Sequence, residues 1–171
     1  MIGKKTCGAL AAALSLAAGI SPAPAQVALS GRSLPLALAI EAAQAAIKAC
    51  EASGYNVSVS VVDQSGVVKL QAKGDHSTIH TKDSSFRKAY TVVTLGPIFK
   101  FDTSGAFAAL VARSPNGPAL TSLPDVLALA GGVAVKSGDE IIAAIGVGGA
   151  PGGDKDEACA AAGLAAIRDR I

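Results

Sequence analysis

Two stretches of this chain fix most of what it can become, because each holds two β-rich runs separated by a turn. In the first, NVSVSVVD alternates Val57, Val59 and Val61 on one face with Ser58 and Ser60 on the other, Gln64-Ser65-Gly66 turns the chain, and VVKLQAK alternates again. Residues 56 to 73 therefore read as a hairpin with Gly66 in the positive-φ position. In the second, GGVAVKS and EIIAAIGVG are joined at Ser137-Gly138-Asp139.

Helical patterns surround both hairpins. LALAIEAAQAAIKACEAS is alanine-rich, with apolar residues at helical spacing, Ser33 as a candidate cap, Pro35 in its first turn and Gly54 at its end. From His76 to Leu95 the pattern is helical with a polar start, offering Thr78, Thr81, Asp83 and Ser84 as caps, and Gly96-Pro97 is expected to break it. A short helix is expected from Thr103 to Arg113, capped by Asp102 or Thr103, and SPNGPALTSLP reads as an irregular loop. After a glycine-rich turn, a closing helix places Asp154, Asp156 and Glu157 in its first turn and Arg168 and Arg170 in its last, where the macrodipole favours each charge. The order helix, hairpin, helices, hairpin, helix predicts an α+β domain: an antiparallel sheet of about five strands with helices packed on it, rather than a doubly wound sheet.

The N-terminus predicts export. Lys4 and Lys5 precede an apolar stretch from Gly8 to Ile20, followed by Ala23-Pro24-Ala25, the order of a secretory signal with an A-x-A cleavage site. That stretch is shorter than the roughly 20 residues needed to span a bilayer. Residues 1–25 therefore read as a signal peptide and 26–171 as one mature domain, periplasmic or secreted, with no membrane attachment after cleavage. Loss of Lys4 and Lys5 leaves basic and acidic residues balanced at 13 each, which argues against nucleic acid or an anionic membrane as partner. Cys7 leaves with the signal. Cys50 and Cys159 remain in a compartment that permits disulfides, and as a pair of residues they read equally as free thiols or as a bridge.

The chemistry-bearing motifs are few. In GVGGAPGG, Gly153 is followed by Asp154 where a Walker loop needs Lys, and Pro151 stands where a dinucleotide fingerprint needs its third glycine, so the turn reads first as a structural strand-to-helix turn. The mature chain has two histidines, His76 and His80, in one stretch, GDHSTIHTKDSS. Spaced i and i+4, they are candidate metal or haem ligands, although Ser77 replaces the Glu of a metalloprotease and no third zinc ligand follows. No nucleophile motif is present, and Asp63 reads as a turn former ahead of a general base.

The stretch from LALAIEAAQ to KGD, then HTKDSSFRKAYT, then LPDVLALAGGVAVKSGDEIIAAIGVGGAPGGDKDEACAAAGLAAI resembles the GlcG/HbpS family, the haem-binding or haem-degrading domain family, over about residues 33–170. AIGVGGAPGGDKDEACAAAG is the most specific block. The resemblance implies a profilin-like α+β domain with a five-stranded antiparallel sheet, assembly into homo-oligomers, and haem as cofactor, with a sensor protein as a further partner. The function it implies is an exported haem-binding protein, in haem sensing, storage or redox protection, and not a turnover enzyme. On the residues that match, His80 is the favoured iron ligand, His76 a second candidate, and Arg87, Lys88 and Tyr90 neighbours of the porphyrin or its propionates. The strand order it implies puts the first and last strands together at the centre, which brings Cys50 and Cys159 to one end of the molecule as a disulfide candidate. The alternatives are a carrier or enzyme for another small molecule, a cobalamin or a hydroxy acid, using the glycine-rich turn and Asp154, or a structural assembly partner.

Overall fold

The run NVSVSVVD becomes strand β1 (Ser58–Asp63), and it lies inside the sheet with both faces buried. A computed structural model describes residues 31–171; the expected signal peptide and the mature start at Gln26 lie outside the described residues. Strand β2 (Val68–Lys73) pairs antiparallel with β1 across a turn in which Gly66 takes φ 79° and the Asp63 carboxylate accepts from the amides of Ser65 and Val67 at 2.9 and 3.0 Å. Strands β3 (Gly132–Ser137) and β4 (Glu140–Gly148) form the second hairpin, and β4 pairs antiparallel with β1, Ser58 opposite Gly148. The sheet order is β2-β1-β4-β3, with the first and last strands at the centre.

Among the described residues the sheet has four strands, not the five expected. Beyond the outer edge of β3 lies one antiparallel bridge, Thr103 with Val133, beside a hydrogen bond from the Ala134 amide to the Asp102 carbonyl at 2.8 Å. It cannot lengthen. Phe101 before it is drawn into the core, and the Thr103 hydroxyl already accepts from the Ala106 amide as cap of helix α3 (Ser104–Arg113).

Helices cover both sheet faces. Helices α1 (Leu36–Glu51) and α5 (Gly153–Ile167) pack on the face that carries Val57, Val59 and Val61, and helix α2 (Thr81–Phe99) packs on the other with Ala89, Val92 and Val93 against Val62, Ala134 and Ala144. The α2 contact is so close at β4 that a Cβ on Gly146 would lie 2.0 Å from the Ser85 carbonyl. The serines of β1 meet α2 and the loop before it: Ser58 Oγ lies 2.7 Å from Thr81 Oγ1, and Ser60 Oγ 2.8 Å from Ser85 Oγ. Alternation thus sorts apolar from hydroxyl contacts here, rather than core from solvent. Cys50 of α1 and Cys159 of α5 form a disulfide with Cα atoms 5.5 Å apart. Among the described residues no helix is long and apolar enough to cross a membrane.

Several helix boundaries differ from expectation, among them the end of α5: Arg168 and Arg170, expected in its last turn, lie in a 3-10 turn that follows Ile167. Helix α1 starts at Leu36 with Pro35 as N-cap and no side-chain cap, because Pro35 presets the entry and buried Leu34, rather than the Ser33 hydroxyl, anchors it. Helix α2 begins at Thr81, not His76, whose φ of 62° is outside the helical region, and it runs through Gly96-Pro97 to Phe99. Pro97 removes the helical bond to the Val93 carbonyl, and the helix closes three residues later at Lys100, which takes φ 58° and donates its amide to the Gly96 carbonyl at 2.8 Å. The segment read as an irregular loop contains helix α4 (Gly117–Thr121), started with Pro118 in its first turn.

Candidate functional site

Glycine lets the chain leave β2 close to β1: a Cβ on Gly74 would lie 2.5 Å from the Val57 carbonyl. The next residues are tied down by hydroxyls. Ser77 Oγ donates to the Gly74 carbonyl at 2.8 Å and lies 3.2 Å from Ser58 Oγ, and Thr81 Oγ1 donates to the Thr78 carbonyl at 2.6 Å. From this stitched base His76, Ile79 and His80 face solvent, Ile79 being 85 % exposed. His80 holds the N-cap position of α2, and its Nδ1 lies 3.2 Å from Thr78 Oγ1. When Nδ1 donates to that oxygen, Nε2 keeps its lone pair and can ligate. The two histidines share a loop but not a helical face.

The other sequence candidates lie elsewhere. Lys88 is eight residues along α2 from His80, about 12 Å at the helical rise, and it points into the protein. Its Nζ donates to Asp156 Oδ2 at 2.6 Å and to the Val147 carbonyl at 3.0 Å. Arg87 donates to the Val126 carbonyl at 2.8 Å, and Tyr90 packs on Gly66 and beside Phe86, ring centroids 5.5 Å apart. These three side chains hold α2 to its neighbours, so the structure does not gather them with the histidines.

Two carboxylates read from sequence only as complements of the helix dipole have specific partners. Asp156 binds Lys88 with one oxygen and the Ala150 amide, at 2.9 Å, with the other, so it clamps the glycine-rich turn to α2. Glu157 Oε2 accepts from the amides of Gly105 and Gly131 at 2.9 and 3.2 Å, which joins the start of α3 to the entry of β3. Nothing local could pair Lys88 with a residue 68 positions away; the one sequence signal was acids directly after a glycine turn. The same turn is packed shut, since a Cβ on Gly148 would lie 2.3 Å from Ser84 Oγ and one on Gly153 would lie 2.7 Å from the Ala130 carbonyl. It is a structural turn, and Asp154 stands exposed beside Lys155 at 3.8 Å.

Among the described residues no three His, Cys, Asp or Glu side chains converge to hold a bare metal ion. A haem needs less, because its porphyrin supplies four of the iron's ligands and the protein adds an axial one. The histidine loop has the required chemistry: an oriented imidazole at His80, an exposed apolar side chain at Ile79, and exposed Lys73 for a carboxylate, while Lys82 at the other end pairs with Asp83 at 2.8 Å.

Residues 34–165 match the family model described as haem degrading protein HbpS-like. The chain belongs to the HbpS-like family. Its structure is similar to that of HbpS, at 35% identity and TM-score 0.73, covering 86% of this chain and 99% of that one. A double mutant of Streptomyces reticuli HbpS matches at 38% identity and TM-score 0.72, covering 85% and 99%. The fold of this HbpS-like chain is also that of PduOC in its haem complex, at 20% identity and TM-score 0.69, covering 80% and 96%. Among curated protein sequences none matches.

Proposed function

We propose that this HbpS-like chain is an exported haem-binding protein, with His80 as the axial ligand, that holds haem for sensing, storage or redox protection rather than turning over a substrate. The observation that carries the reading is that the family match over residues 34–165 spans the loop bearing His76 and His80. The oriented, exposed imidazole of His80 supports it, as does the fold shared with a protein crystallised with haem. His80 is favoured over His76 because Thr78 positions its ring.

Haemin titrated into the wild type is expected to give a Soret band that shifts in His80→Ala and is little changed in His76→Ala. Identical spectra and affinity in the wild type and both variants would remove the histidine ligand, and no saturable binding by the wild type would remove the function.

The histidine loop forms a single wall on the chain surface, so a flat macrocycle bound there has a second face to cover. A homo-oligomer meets that need, and half the residues of the chain are apolar. Light scattering of the mature protein at micromolar concentration is expected to give a multiple of the chain mass, and a monomer mass would overturn the assembly.

A further inference from the structure

Between the C-terminal end of α1 and the first turns of α5 lies a cavity of about 270 Å³ lined by Ala49, Ser53, Tyr55, Lys155, Ala158 and Cys159. It contains none of the histidine-loop residues, and one half of the disulfide forms part of its wall. Both cysteines are buried, Cys159 6 % exposed and Cys50 0 %, and of the two only Cys159 lines the cavity, so a reagent seated there lies on the Cys159 side of the bond. Lys155 precedes Cys159 by four residues on α5, which puts the two residues on one face of the helix. Ser53 and Tyr55, from the turn after α1, add a hydroxyl and a phenol. A lysine, a serine and a tyrosine lining the same cavity as Cys159 suit a small thiol that carries a carboxylate.

We propose that Cys159 is a thiol-exchange site for carboxylate-bearing low-molecular-weight thiols, of which glutathione is the representative. The thiolate sulfur attacks Cys159 Sγ and forms a new S–S bond while the bond to Cys50 breaks. The electron pair of that bond leaves on Cys50 Sγ, which takes a proton from water. A second thiolate attacks the small-molecule sulfur of the mixed disulfide, releasing the oxidised small disulfide and a Cys159 thiolate that is protonated in turn. Two small thiols are thereby oxidised and the protein disulfide is reduced. The helix pair keeps its packing without the bond, because Gly163 lies so close to α1 that a Cβ there would be 2.6 Å from the Ala42 carbonyl, and Arg170 bonds Glu41. Asp154, 3.8 Å from Lys155 Nζ, competes for the ammonium and limits the preference for anionic thiols.

Cys50→Ala and Cys159→Ala each leave one thiol in the folded chain. With oxidised glutathione, Cys50→Ala is expected to take up one glutathione at least about tenfold faster than Cys159→Ala, the contrast between a reachable and a sealed thiol, read by intact mass. Adding Lys155→Gln to Cys50→Ala is expected to slow that reaction about fivefold and to leave the reaction with cystamine, a cationic disulfide, unslowed. Equal rates for the two cysteine variants, or no effect of Lys155, overturns the proposal. If Cys50→Ala does not fold, the wild type decides: after reduced glutathione and an acid quench, the adduct is expected on the Cys159 peptide, and an adduct on Cys50, or none, overturns it.

Discussion

Lys88 Nζ lies 2.6 Å from Asp156 Oδ2, and the two side chains are 2% and 4% exposed. The pair joins α2 on one face of the sheet to α5 on the other, past the end of β4, whose Val147 carbonyl accepts from the same ammonium. Glycine makes room for it, since a Cβ on Gly131 would lie 2.8 Å from that nitrogen. Breaking such a pair leaves one charge buried without its partner, which is costlier than replacing both.

Asp156→Ala is therefore expected to lower stability by about 3–5 kcal/mol in urea denaturation, while Lys88→Met combined with Asp156→Leu recovers most of the loss. The double variant is also expected to keep its haemin affinity, because Lys88 does not reach the histidine loop. A single variant within about 1 kcal/mol of the wild type, or a double variant no better than the single, would contradict this account of the pair.

The disulfide closes a loop with a sequence separation of 109, for which the chain-entropy model gives about 4–5 kcal/mol, with 2–4 kcal/mol typical of measurement. Reduction is expected to lower the denaturation midpoint by an amount in that range while far-UV circular dichroism keeps its native shape. An unchanged midpoint after complete reduction would show that the bond adds nothing to folding.

Glu41 of α1 accepts a hydrogen bond from Arg170 at 2.5 Å, and this bond holds the Glu41 carboxyl below its ordinary 4.5. A depressed carboxyl contributes stability above the unfolded value and loses it as pH falls through the folded one. The stability difference between the wild type and Glu41→Gln is thus expected to be constant near neutral pH and to shrink below about pH 4.5, the unfolded range of a glutamate. Added salt is expected to reduce it as well, because the pair is half exposed. A difference that grows on acidification would reverse the sign.

The hairpins, the hydroxyl-capped α3 and the acid-started α5 were legible because each is decided by neighbours in sequence. Gly66 and Gly138 need positive φ, Thr103 caps an amide three residues on, and Asp154 and Asp156 sit in a first turn. The histidine loop was legible as a stretch, though His76 at φ 62° never enters the helix that its spacing implied. The contacts of Arg87, Lys88 and Tyr90 were not legible, because what a helical residue touches depends on what is packed beside it. An ammonium on a polar helix looks the same in sequence whether it meets water or a carboxylate 68 residues later.

By itself, then, the sequence determined the order of elements, their turns and the pairing of strands within each hairpin, since alternation and glycine act over a few residues. Only the tertiary structure decided the number of strands, the burial of both faces of β1 and the partners of Lys88, Asp156 and Glu157. A fifth strand failed at Thr103 because its two flanks were already committed, Phe101 to the core and the threonine to a cap. Competition of that kind is settled by packing, where buried polar groups find partners far along the chain or the fold does not close.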